Sequence, residues 1–143
     1  MKKITLILVL LATLLVFSNS YAVNWHKADS AVIGWDAVTT YYDGTPLPGD
    51  TQGINYYIYT KDVNGNNPRL EANVLNITTA TITLAEGEKK YVGISASVID
   101  VDGIVSDDSV IAWSDDPIYC LDGIVFGVHN LKRSSPPKNL HKK

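Results

Sequence analysis

From residue 30 to residue 113, apolar and polar positions alternate, and no stretch keeps a helical period. Ala31, Ile33 and Trp35 share one face of a first strand. Ile54, Tyr56 and Ile58 do the same in a second, with Tyr57 and Tyr59 on the opposite face, because side chains reverse direction at each step of a strand. Residues 70–75 form a weaker candidate. Residues 79–84, Thr-Ala-Thr-Ile-Thr-Leu, are β-branched at nearly every step and disfavour helix. Val92, Ile94, Ala96 and Val98 alternate in the next strand, and residues 110–113 mark the last. Turn clusters separate these runs: Asp43-Gly44, Asn64-Gly65-Asn66-Asn67-Pro68, Glu86-Gly87 and Asp102-Gly103. Short strands with such punctuation and no helix predict an all-β chain folded as an antiparallel β-sandwich.

The pattern changes at both ends. Lys2 and Lys3 precede an apolar run over residues 4–17, and Ser20-Tyr21-Ala22 supplies small residues around a cleavage point. Fourteen helical residues span about 21 Å, short of a hydrocarbon core of roughly 30 Å. Residues 1–22 therefore read as a secretory signal peptide, which predicts a secreted, periplasmic or cell-surface protein with no transmembrane segment in the mature chain. The sandwich is expected over residues 23–118. Residues 119–143 read as a C-terminal extension ending in a basic, Pro-containing tail with Pro136 and Pro137.

Charge sharpens that division. The whole 143-residue chain carries a formal −3. Residues 23–128, however, hold five basic and fifteen acidic residues, net −10, whereas residues 129–143 hold five basic residues and no acid. An acidic body repels the backbone of nucleic acids, which argues against that class of partner. Cationic, calcium-bearing or uncharged partners fit it better.

Five groups of residues resemble the fibronectin type III family when taken in order. Trp35-Asp36-Ala37-Val38-Thr39 resembles the end of its second strand, and Asp43-Gly44-Thr45-Pro46-Leu47 is similar to the following loop in bacterial members. Leu84 with Gly87 resembles the corner before strand F. Residues 91–96 resemble strand F itself, and Asp102-Gly103 with Ser106 the loop into strand G. The likeness covers roughly residues 29–113 and implies an immunoglobulin-like antiparallel sandwich with adhesive or spacer roles. Trp35, Tyr56, Ile58, Leu84 and Ile94 are then expected in the core. The position usually held by the family's corner tyrosine falls on Lys90, with Tyr91 one residue later.

Chemistry is sparse. His26, His129 and His141 lie near the ends of the chain, away from any strand-borne nucleophile. The acids fall mostly in turns rather than as a pair in a cleft, so a catalytic role is not expected. No cofactor is expected, except that Asp100, Asp102, Asp107 and Asp108 form an acidic loop weighed as a calcium site against a solvated turn. Tyr41, Tyr42, Tyr57 and Tyr59 gather around one connection and the strand after it, where exposed rings can anchor a protein or stack on a sugar. Cys120 is the single cysteine, either buried or paired between chains. The expectation is a non-catalytic exported protein-interaction or structural module, with a protein or glycan at the cell surface as its partner. The alternative is a carbohydrate-binding module that uses the tyrosines.

Overall fold

The computed structural model describes residues 22–133; the apolar run of the expected signal segment and the tail beyond Arg133 lie outside the described residues. The described chain is nearly all-β. Its strands are β1 (Asn24–Lys27), β2 (Ser30–Gly34), β3 (Gly53–Asp62), β4 (Arg69–Leu75), β5 (Thr79–Thr83), β6 (Lys89–Ile99), β7 (Ala112–Trp113) and β8 (Phe126–His129). One 3-10 turn, Leu121–Gly123, interrupts them. A large sheet has the order β1-β8-β6-β3-β4, with β7 added on β6, and a small sheet holds β2 and β5. The four alternating runs expected at residues 30–35, 54–59, 79–84 and 92–98 are β2, β3, β5 and β6.

The two sheets share one core, the layered arrangement of a β-sandwich. Ala31 and Ile33 from β2, with Ile82 from β5 and Leu84 just beyond it, meet Ile58, Val92 and Val128 of the large sheet. Alternation decides which side chains reach it. In β2 the pattern is exposed, buried, exposed, buried, exposed. Of the five expected core residues, Tyr56, Ile58 and Leu84 are buried, while Trp35 and Ile94 are half-buried and pack at its margin.

The layers differ in size, and that difference shapes the molecule. β3 and β6 have 10 and 11 residues, against five each in β2 and β5. At about 3.3 Å per residue the long strands run some 35 Å and the short ones some 17 Å. Roughly half of the large sheet's inner face therefore has no sheet above it among the described residues. The chain after β2 arches over part of that gap. Trp35 leans on Tyr56 with ring centroids 5.4 Å apart. The Val38 N–H donates to the Tyr56 hydroxyl at 3.0 Å, which ties the arch down to the buried strand.

The large sheet runs past residue 118, the boundary expected from the sequence. β8 lies between β1 and β6, parallel to β1 with Asn24 opposite Phe126 and antiparallel to β6 with Lys90 opposite Val128. The strand expected at residues 110–113 shrinks to Ala112–Trp113. Serine side chains replace the missing ladder. The Ser106, Ser109 and Ser114 amides donate to the carbonyls of Val98, Ala96 and Val92. Each hydroxyl in turn accepts the N–H of the same β6 residue, at 2.9, 3.0 and 3.0 Å. A side-chain oxygen thus stands where a strand would place a carbonyl, and the buried β6 edge leaves none of these groups unpaired.

On the outer face, two glycines admit aromatic rings. A Cβ at Gly127 would come within 2.3 Å of Trp25, and one at Gly93 within 2.6 Å of Trp113. Tyr91 packs on Trp25 at 5.2 Å, and the Lys61 ammonium lies 4.4 Å from the Trp113 ring centre while pairing with Asp115 at 2.8 Å. Because Tyr91 is spent in this cluster and Lys90 pairs with Asp62, the corner before β6 closes differently. The Asn130 side-chain amide donates to the Leu84 carbonyl at 2.8 Å.

Candidate functional site

The gap under the arch is a groove of about 520 Å³. Its floor is the inner face of β3 and β6 at Tyr56, Ile94 and Ala96, and Val38, Tyr41 and Tyr42 form one wall. Val110, Ala112 and Tyr119 form the other. A second hollow of about 380 Å³ continues it along Ala96 and Val98 and shares Tyr41, Tyr42 and Val110. The lining is mostly apolar, and Tyr42 is 94% exposed, so its ring stands at the mouth rather than in the floor.

Two features give the groove chemical character. Asp36, Asp107 and Asp108 lie around it, and among the described residues no Lys, Arg or His lines either hollow. The charged side chains described at its mouth are all acidic. Trp35 Nε1, in its lining, is buried with no hydrogen-bond partner among the described residues, and such a group is costly to leave unpaired.

The four tyrosines expected to act together are separated by the sheet. Tyr41 and Tyr42 line the groove, but Tyr57 and Tyr59 alternate with Tyr56 and Ile58 and so lie on the outer face. The Tyr57 hydroxyl sits 3.4 Å from Ser97 Oγ there. The four acidic residues divide in the same way. Asp100 accepts the N–H groups of Asp102 and Ile104 at 2.9 and 2.7 Å, which shapes its own turn. Asp107 and Asp108 belong to the groove mouth instead. Among the described residues, no three or more His, Cys, Asp and Glu side chains converge as metal ligands.

Other chemistry-bearing groups lie elsewhere. Cys120 is half-buried, with its thiol 3.3 Å from the Ser114 carbonyl. Burial first, then the charges of Asp116 and Asp115, pushes this thiol above its usual range, the opposite of what a nucleophile needs. His129 stands edge-on to Trp25 at 6.4 Å. Among the described residues, no helix is long and apolar enough to cross a membrane. Val110 and Tyr119 had no signal in the sequence as groove residues, because their place depends on how the irregular chain after β6 returns across the sheet.

Comparison of the chain with protein-family models, curated proteins and solved structures finds no match.

Proposed function

We propose that this protein is an exported, non-catalytic interaction module on a fibronectin type III-like sandwich, and that the groove under the arch receives its partner. The partner is a protein segment that presents an aromatic or aliphatic side chain flanked by Lys or Arg. The acidic rim around an apolar hollow carries this reading: the hollow suits an apolar anchor, and Asp36, Asp107 and Asp108 suit cations beside it. The strand order supports the family reading, with β2 and β5 in one layer and β4, β3 and β6 in the other. β1 departs from that pattern by joining the large sheet.

Selection of a displayed peptide library on the protein tests the site. Enriched peptides should pair Lys or Arg with an apolar residue. Val110→Asp, which sets a charge on the exposed apolar wall of the groove, should abolish their binding; Asp107→Asn with Asp108→Asn should weaken it several-fold at low salt. A consensus without basic residues, or binding untouched by Val110→Asp, would overturn the proposal. The adjacent rings of Tyr41 and Tyr42 favour a second reading, sugar binding. Glycan-array binding lost on Tyr42→Ala would establish that one instead. Export is tested separately: deleting residues 2–22 should leave the protein in the cytoplasm.

A further inference from the structure

The small sheet has two strands where the large one has five in its main order, and β2 leaves one side of its backbone open. The ladder with β5 identifies that side. The Trp35 N–H donates to the Thr78 carbonyl, and the Leu84 N–H to the Asp29 carbonyl. The register between them pairs Ala31 with Ile82 and Ile33 with Ala80. In an antiparallel ladder the bonded residues alternate, so the odd-numbered residues of β2 face β5. Ser30, Val32 and Gly34 then turn their N–H and C=O groups to the other side, where no described strand lies.

Beside that edge is a hollow of about 420 Å³, bounded by β2 and floored by Phe126 and Val128 of β8 and His26 of β1. The large sheet thus continues beneath the place where the small sheet stops. Natural edges are blunted by charge, proline or a bulge. β2 reads Ser-Ala-Val-Ile-Gly and has no charged or proline residue, and Val32 at its centre is 73% exposed.

We infer that β2 accepts an added strand: an extended segment of a partner protein, with apolar residues at alternate positions and uncharged residues between them. Backbone groups at three alternate positions call for a strand, and the Phe126–Val128 floor calls for apolar side chains on its inward face. A second copy pairing through its own β2 would instead protect Ser30, Val32 and Gly34 in the free chain. Residues 134–143 do not carry the pattern, since Pro136 and Pro137 lack an N–H and Leu140 is their one large apolar residue. This surface is separate from the groove under the arch.

The probe is a synthetic peptide with the sequence of residues 79–84 flanked by two lysines at each end, because β2 already pairs with that sequence on its other side. Amide hydrogen exchange of the full mature chain is read residue by residue. Exchange at Ser30, Val32 and Gly34 should slow at least tenfold with peptide, and a control peptide with proline in place of the central isoleucine should have no effect. Val32→Pro removes the central free N–H without touching the β5 ladder. It should abolish the slowing while the circular dichroism and unfolding midpoint stay near wild type. Val110→Asp should leave the slowing intact, which separates this site from the groove. The inference is overturned if millimolar peptide slows nothing, if the control peptide acts equally, or if Val32→Pro folds yet still binds. Protection of Ser30, Val32 and Gly34 in the free chain as strong as that of Ala31 and Ile33 would also overturn it.

Discussion

Among the described residues the small sheet has two open edges, and they are built in opposite ways. Along β5 the space over β3 and β4 is polar: Thr60, Arg69, Glu71, Glu88 and Lys90 line it. The Thr60 hydroxyl donates to Glu71 at 2.6 Å, and Lys90 pairs with Asp62. A strand laid there would have to strip water from these charges. Along β2 the floor is Phe126 and Val128, and the edge itself is uncharged. An incoming strand would have to desolvate charged groups at one edge and mostly apolar groups at the other. Free backbone groups alone therefore do not make a docking edge; the layer beneath decides whether an incoming strand gains or loses by leaving water.

The largest test of this contrast is a pair of neighbouring prolines. Ile33→Pro removes an N–H that bonds β5 and a buried side chain, and should cost at least about 3 kcal/mol. Val32→Pro should cost less than about 1 kcal/mol, because its N–H points to the open side. Equal losses in denaturant melts would mean that the strand's two sides are assigned wrongly. Next in size, Val128→Ala should cost about 2 kcal/mol, since that side chain is fully buried in the apolar floor. On the polar side, Glu71→Ala should cost about 1–2 kcal/mol by leaving the buried Thr60 hydroxyl without its acceptor. Adding Thr60→Val should recover most of that loss. If it does not, Glu71 acts by some other route.

The smallest effect concerns pH. The Lys90 ammonium, and then the Asn67 amide, hold the exposed Asp62 carboxyl below its ordinary value. A depressed folded value means the contribution is complete above the unfolded value of about 3.9 and fades as pH falls through the folded one. Unfolding midpoints between pH 5 and pH 2 should fall less steeply in Asp62→Asn than in the wild type. Parallel slopes would show that the ion pair adds nothing.

Much of the sandwich was legible because a strand with one buried face advertises it. Ala31 and Ile33, Tyr56 and Ile58, and Val92 with Ala96 and Val98 announced β2, β3 and β6 through alternation alone. β8 was not legible: four residues, one of them Gly127, leave too little alternation, and its burial depends on Trp25 arriving from 100 residues earlier. The replacement of a last strand by Ser106, Ser109 and Ser114 was equally hidden, since serines after a turn ordinarily signal loop. For the candidate site, alternation had already placed Tyr57 and Tyr59 opposite Tyr56. Grouping them with Tyr41 and Tyr42 followed closeness in sequence where the pleat separates them in space. The groove itself arises from unequal sheet lengths, a property of two layers together that no single segment encodes.

The parallel pairing of β1 with β8 also has a mechanical meaning. Asn24 lies opposite Phe126 and Lys27 opposite His129, so the chain enters this pair at one pole and leaves it at the other. Tension between the two sides of the molecule would pull the strands past each other lengthwise and strain all their bonds together. An antiparallel pair loaded from its open end would instead peel one bond at a time. Four residues in shear make a short clasp, yet one aligned with the line of force. Under such a load the resistance of the fold is set by how fast that clasp slips.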